Sequence, residues 1–186
     1  MLFLTGMHTV MVLWDVAEFY DSLQYDKLEG ACEEQGYGRK GAALTFVIHA
    51  SPTILKIGQA VGRMTTSMDR SILAGCQKSQ TIARAYTNKS VDKLRASYSV
   101  GSNGNTPSNG MRVYQHVDDL TQMMWNADEA TLAHKASKAA VEWVDQTQRL
   151  ELGISHNTVI VPPGPPAQAV QRALSREGTK VGISKH

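Results

Sequence analysis

Three carboxylates stand at the ends of apolar, strand-like segments in this sequence. Asp15 lies at the end of the run from Thr9 to Val16. Asp118 and Asp119 separate two further apolar runs. A sheet that pairs these strands would bring the three side chains to one end, where they raise one another's pKa unless cations neutralise them. Magnesium prefers such oxygen ligands, and two ions can activate an attacking hydroxyl and stabilise a leaving phosphate. The predicted chemistry is nucleotidyl transfer.

Each of these acidic residues also has an ordinary structural interpretation. A single Asp at a strand end commonly caps or turns the chain, and an Asp-Asp pair suits a plain turn. The metal-site hypothesis therefore depends on co-occurrence: both acidic positions follow apolar runs, and a long helical segment lies between them.

The residue pattern predicts an alternation of strands and helices. Strand predictions rest on β-branched and apolar runs, and helix predictions rest on the spacing of apolar residues. Asp21 and Ser22 are predicted to cap the amino end of the first helix. The predicted elements of the first half are a strand at 9–16, a helix that ends near residue 36, a second helix at 42–49, a hairpin of 54–57 with 63–68, and a helix at 77–95. A flexible loop is predicted at 101–110. The predicted elements after it are strands at 111–117 and 120–125, a helix at 127–152, a strand at 158–161, an irregular proline-rich link at 162–166, a short basic helix and a last strand-like piece at 179–183.

This order predicts an α+β fold, with an antiparallel sheet and helices packed on one face. The Asp118-Asp119 pair is predicted to be the tight turn between two strands of that sheet. The sequence contains no glycine-rich phosphate loop of the dinucleotide or P-loop type, which disfavours those classes.

The net charge of +2 is small, but it is distributed unevenly along the chain. Residues 63–99 carry seven basic and two acidic side chains. Such a segment suits contact with a phosphate backbone, and it suits a solvated helix face equally well.

Cysteine usage and the amino terminus predict an intracellular protein, cytoplasmic or nuclear. Only Cys32 and Cys76 are present, without a paired metal-ligand spacing, so neither a disulfide framework nor a zinc site is expected. No secretory leader and no membrane-spanning run is recognisable, and secretion and membrane insertion are not expected.

Several segments resemble the motifs of reverse transcriptases, in family order. The segment from Trp14 to Leu23 is similar to motif A, Arg70 to Gln80 to motif B, and Tyr114 to Leu120 to motif C. The predicted hairpin ahead of motif B resembles that of non-LTR retrotransposon enzymes, and residues 133–161 resemble motif D. The resemblance implies a polymerase palm at 1–161, followed by a proline-rich link and the start of a primer-grip segment at 162–186.

The resemblance implies that Asp15, Asp118 and Asp119 are catalytic and bind two Mg²⁺ ions, assisted by the backbone carbonyl of Val16. The implied partners are an RNA or DNA template with its primer and a deoxynucleoside triphosphate. The implied reaction is RNA-directed DNA synthesis.

Three further residues are implied to contact substrate. Tyr20 falls where the family keeps an aromatic that blocks a ribose 2′-hydroxyl, which disfavours the alternative of an RNA-dependent RNA polymerase. Gly75 matches the motif B glycine that allows close approach of nucleotide or template. Ser79 follows at the head of a helix, where it can contact template phosphate or sugar, together with Lys78 and Arg84.

Some features depart from the family pattern. Ala74 stands where the family usually has Gln, His116 replaces an aromatic, and Asn157 stands where a Lys is typical. The chain also begins almost at motif A, so fingers and thumb are expected to be absent. The alternative hypothesis is a noncatalytic remnant or nucleic-acid-binding fragment of a mobile-element reverse transcriptase.

Overall fold

The computed structural model describes residues 6–51, 54–63, 70–72, 78–98 and 109–184. These residues form two compact units, one of residues 1–17 with 88–186 and one of residues 18–87. The elements of the described chain are β1 (His8–Trp14), β2 (Val16–Ala17), α1 (Phe19–Ser22), α2 (Tyr25–Glu34), α3 (Arg39–Ala50), β3 (Ile54–Ile57), β4 (Ala60–Arg63), α4 (Ser79–Tyr98), β5 (Asn109–His116), β6 (Asp119–Asn126), α5 (Glu129–Arg149), β7 (Gly153–Ile154), β8 (Val159–Val161), α6 (Pro165–Arg176) and β9 (Gly182–Ile183).

The first unit is built on a five-stranded sheet with the order β5-β6-β1-β8-β9. The pairs among the first four strands are antiparallel, and β9 pairs with β8 in parallel. The prediction of a mixed helix-and-strand fold is confirmed. The sheet differs from the predicted antiparallel one at this last strand, because α6 connects β8 to β9 and returns the chain in the same direction.

Helices cover one face of this sheet. Side chains alternate along β1, so that Val10, Val12 and Trp14 are buried while Leu13 remains 41% exposed. The buried row packs with residues of α4, α5 and α6 in a single hydrophobic cluster. Leu132, Ala136, Ala140 and Val144 supply the apolar stripe of α5 at helical spacing. The sheet therefore has one covered face and one open face.

Two helix starts in the first unit illustrate different capping chemistry. Asp128 caps α5 through a hydrogen bond of 2.6 Å, which its Oδ2 accepts from the backbone N–H of Thr131. The predicted irregular link at 162–166 is wrong at its end, because Pro165 and Pro166 form the first turn of α6. Proline is tolerated there, since the first helical N–H groups need no intrahelical partner.

The carboxyl-terminal segment belongs to the first unit. Val170 and Leu174 of α6 are fully buried in the common core, and β9 extends the sheet. The boundary at residue 161, which the family resemblance implies, stays a prediction.

The second unit contains α1 to α3, the β3–β4 hairpin and the start of α4. The backbone N–H groups of Ser71 and Ile72 donate to the carbonyls of Leu23 and Tyr20. The predicted hairpin is confirmed, but its second strand is Ala60–Arg63, and residues 64–68 lie outside the described part.

The predicted cap of the first helix is wrong. Asp21 and Ser22 belong to the short helix α1, and α2 begins after Gln24 without a side-chain cap. Asp21 instead accepts a hydrogen bond of 2.9 Å from the Ser71 hydroxyl. Most of the predicted loop at 101–110 lies outside the described residues, while Asn109 and Gly110 already belong to β5.

Within the described ranges, no helix combines the length and apolarity needed to cross a membrane. The intracellular location stays a prediction.

Candidate active site

The antiparallel register of β1 and β6 brings the acidic positions to one end of the sheet. Trp14 pairs with Leu120, so Asp15 and Asp119, one residue further along, stand opposite each other. Asp119 also pairs with His116 on the neighbouring strand β5. The alternation of side chains places Asp119 and His116 on the same face as the exposed Leu13 and Tyr114, which is the open face.

Asp118 lies in the turn between β5 and β6. The two central residues are Val117 and Asp118, and Asp119 already begins β6, so the turn lies one residue earlier than predicted. Val117 has a φ of 58°, an unusual value for a β-branched residue. Its carbonyl accepts a hydrogen bond of 3.1 Å from the Gln115 side chain. Positive φ at the first central position is typical of tight hairpin turns, where glycine is the usual residue.

The charges at this end of the sheet interact. The pKa of Asp119 is raised, first by partial burial and then by the negative charges of Asp118 and Asp15. The charge of His116 lowers this pKa in part. Asp119 is nevertheless exposed to solvent on the open face. Asp119 therefore lies within electrostatic range of both Asp118 and Asp15. The role of the three carboxylates as a metal site stays a prediction.

Asp15 occupies the break between β1 and β2, and the turn before β8 holds it. The carbonyl of Asp15 accepts a hydrogen bond of 2.8 Å from the N–H of Ser155. Its own N–H donates to the Thr158 hydroxyl at 3.1 Å. The Asn157 amide donates to Oδ2 of the carboxylate, also at 3.1 Å. Backbone and side chain of Asp15 are thus both fixed by residues 155–158.

These contacts were not foreseen from the sequence. In the sequence, Asn157 is conspicuous only as a departure from the lysine of the resembling family, and no pattern marks Ser155. The bond between Asn157 and Asp15 joins residues 142 positions apart, so local sequence patterns carry no signal for it.

The donor set suits a hard divalent cation, because all three groups are carboxylates and their mutual repulsion is what such a cation would relieve. Among the residues that the structure describes, however, no three His, Cys, Asp or Glu side chains are grouped closely enough to hold an ion as they stand. Val16 lies in β2, paired with Ile154, and its side chain is buried. Its carbonyl remains a predicted ligand.

The predicted substrate contacts belong to the second unit. Tyr20 is half-buried in α1, with its ring 5.7 Å from that of Phe19 in an edge-on arrangement. Ser79 is fully buried at the start of α4, with its hydroxyl 3.5 Å from Nε2 of His49, so template contact would require it to be uncovered. Lys78 and Arg84 are exposed. Gly75 and Ala74 lie outside the described residues.

Comparison with known proteins gives no relative for this chain: no family model matches it, and no curated protein sequence matches it.

Proposed function

We propose that this chain is the palm of an RNA-directed DNA polymerase of the non-LTR retrotransposon type, which adds deoxynucleotides to a primer end. The observation that carries this proposal is the register of β1 and β6. It sets Asp15 opposite Asp119 and leaves Asp118 in the adjoining turn. The order of the resembling motifs along the chain supports the same assignment.

The family resemblance implies two bound Mg²⁺ ions, and the negative charge of the carboxylates favours a bound cation. Asp15, Asp118 and Asp119 would hold them, with the Val16 carbonyl as a further ligand. Ions bound there would activate the primer hydroxyl and stabilise the leaving pyrophosphate. The pKa of Asp119 is raised by partial burial first and by the charges of Asp118 and Asp15 second, and a bound cation would lower that pKa again.

The residues of the chain have separate tasks in this proposal. The turn 155–158 holds Asp15 in place, so that its carboxylate is oriented before substrate arrives. The open sheet face, with exposed Leu13 and Tyr114, offers a surface beside the carboxylates for the template and primer. Tyr20 is proposed to exclude a ribose 2′-hydroxyl, which makes deoxynucleoside triphosphates the substrates.

A second candidate function is a noncatalytic nucleic-acid-binding fragment of such a polymerase. The specific observation in its favour is Asn157. Its neutral amide bonds to Asp15 at the position where the resembling family has a lysine, and an amide cannot donate the proton that an ammonium group can.

The two candidates are separated by measuring metal binding and primer extension on the same variants. We expect the 186-residue chain to bind Mn²⁺, a spectroscopic substitute for Mg²⁺, and Asp118→Asn to weaken that binding by about tenfold or more. The matched control is Asp145→Asn, an exposed carboxylate on α5, which should leave Mn²⁺ binding unchanged. Electron paramagnetic resonance of free Mn²⁺ gives the readout without any need for activity.

Primer extension on an RNA template then decides between the candidates. Extension that Asp118→Asn abolishes supports the polymerase. Template binding without extension supports the noncatalytic fragment. If the chain extends a primer and Asp118→Asn retains that activity, the assignment of the metal site is wrong.

A further inference from the structure

The strand pairing beside β1 and β2 is interrupted at Asp15. The last pair of β1 with β8 joins Leu13 to Val159, and the first pair of β2 with β7 joins Val16 to Ile154. Between these two pairs, two residues on the side of Asp15 face four residues on the other side. Extra residues on one side of a strand pair bend the chain and re-aim a side chain, and they are common beside active sites. The interruption falls at the candidate metal ligand.

The four facing residues, 155–158, form a turn that is closed by its own hydrogen bonds. The N–H of Thr158 donates to the carbonyl of Ser155 at 3.1 Å. The N–H of Asn157 donates to the Ser155 hydroxyl, also at 3.1 Å. Ser155 and Thr158 are both buried. The turn and Asp15 belong to the first unit, so their contacts lie within one compact body.

One hydroxyl of this turn contacts both backbone groups of Asp15. Oγ1 of Thr158 accepts a hydrogen bond of 3.1 Å from the N–H of Asp15, and it donates to the carbonyl oxygen of Asp15 at 3.4 Å. A hydroxyl group can accept and donate at the same time. Thr158 is fully buried, and a buried backbone N–H needs a partner. The hydroxyl therefore takes the place of the strand partner that Asp15 lacks.

The backbone of Thr158 is held from its other side by β9. The N–H of Gly182 donates to the carbonyl of Thr158 at 3.1 Å. The preceding residue, Val181, is tied to α6, because the side-chain amide of Gln171 donates to its carbonyl at 3.0 Å. Thr158 thus lies on a rigid support, which a residue that orients a ligand group requires.

We propose that Thr158 is a positioning residue, whose buried hydroxyl sets the backbone of Asp15 and thereby aims its carboxylate at a bound metal ion. This inference rests on the proposed function, in which Asp15 binds the metal. Asn157 contacts only one oxygen of the carboxylate, whereas Thr158 fixes the main chain that carries it. Displacement of a functional group by about 1 Å is enough to cost a large factor in function.

Two replacements separate the hydroxyl of Thr158 from its shape. Thr158→Val keeps the branched shape and removes the hydroxyl, while Thr158→Ser keeps the hydroxyl and removes the methyl group. We expect Thr158→Val to weaken Mn²⁺ binding by about fivefold to tenfold, and Thr158→Ser to stay within about twofold of wild type. Electron paramagnetic resonance of free Mn²⁺ measures both. A merely structural role would not follow the hydroxyl in this way.

A second readout needs no metal ion. The amide proton of Asp15 is observed by NMR, and loss of its hydrogen bond in Thr158→Val should move the resonance upfield, while Thr158→Ser should leave it near its wild-type position. If Thr158→Val does not fold, Thr158→Cys replaces it, with a smaller change in the same direction because a thiol is a weak hydrogen-bond partner.

The matched control is Thr147→Val on α5. Thr147 is also fully buried, and its hydroxyl donates to the carbonyl of Val144 at 2.8 Å, within the helix. The control makes the same chemical change in the same unit without touching Asp15. It should leave both the Asp15 resonance and the Mn²⁺ affinity unchanged.

The outcomes distinguish this inference from the proposed function. A wild-type chain that binds no Mn²⁺ contradicts the metal site, and the Asp15 resonance then decides whether Thr158 orients Asp15. The inference is overturned if wild type binds Mn²⁺ and Thr158→Val binds it equally well, or if Thr158→Ser loses as much affinity as Thr158→Val. It is also overturned if the Asp15 resonance moves as far in Thr147→Val as in Thr158→Val.

Discussion

The side-chain amide of Asn157 donates a 3.1 Å hydrogen bond to the carboxylate of Asp15. The same turn also bonds to the backbone of Asp15 through Ser155 and Thr158. A neutral amide occupies one carboxylate oxygen and leaves the negative charge available, whereas a lysine at this position would neutralise it. The identity of residue 157 therefore sets the charge that Asp15 can offer to a cation.

Asn157→Lys is expected to weaken Mn²⁺ binding by about tenfold, because an ammonium group beside Asp15 competes with the metal ion. Electron paramagnetic resonance of free Mn²⁺ measures the change. His156→Lys adds a positive charge one residue away, at a side chain without a described bond to Asp15, and should have the smaller effect. An equal loss in both variants would show that general charge, and not the contact with Asp15, determines the affinity.

Asp119→Asn is expected to raise the melting temperature at pH 7 by about 1 to 2 °C. The native pKa of Asp119 is raised above the ordinary value of 3.8, so the native state binds its proton more tightly than the unfolded chain does. Stability is therefore lost as the pH rises through the interval between those two pKa values.

Thermal unfolding monitored by circular dichroism from pH 3 to pH 8 tests this pH dependence. The advantage of the variant should vanish well below 3.8, where both states are protonated. A variant that is less stable than wild type at pH 7 would contradict the conclusion that burial and the neighbouring carboxylates disfavour ionised Asp119 in the native state.

Gln122→Leu is expected to lower the free energy of unfolding by about 1 to 3 kcal/mol, because a buried donor loses its partner. The indole N–H of Trp14 donates to Gln122 Oε1 at 3.1 Å, and both side chains are almost fully buried beneath the sheet. Urea unfolding measures the change. Gln148→Leu makes the same replacement at an exposed position of α5 and should stay within about 0.5 kcal/mol of wild type.

Gly110→Ala is expected to destabilise the first unit by about 1 to 3 kcal/mol through overpacking. Its new Cβ would lie 2.6 Å from Cζ2 of Trp125, and the indole is buried and cannot move freely. The matched control is Gly30→Ala in the middle of α2, where no heavy atom lies within 4 Å of the added Cβ. That replacement should stabilise by about 0.5 to 1 kcal/mol, because alanine favours the helix. Equal effects of the two replacements in urea unfolding would argue against close packing at Gly110.

Local features of the chain were predictable because they depend on neighbouring residues. The β-branched and apolar run from Thr9 to Val16 indicated a strand, and the apolar spacing from Leu132 to Val144 indicated α5. The capping position Asp128 follows from the same kind of local chemistry. The proline run does not predict a helix, because whether Pro165 begins one depends on the core into which α6 packs.

Local sequence and tertiary structure each determine part of the arrangement of the acidic site. The sequence by itself determined that Asp15, Asp118 and Asp119 lie at the ends of strands, because strand periodicity is local. Only the tertiary structure decided that β1 lies between β6 and β8, that its register sets Asp15 opposite Asp119, and that Asn157 reaches Asp15. Strand order and register arise from burying one face of the whole sheet against the helices, and that burial is a property of residues more than a hundred positions apart.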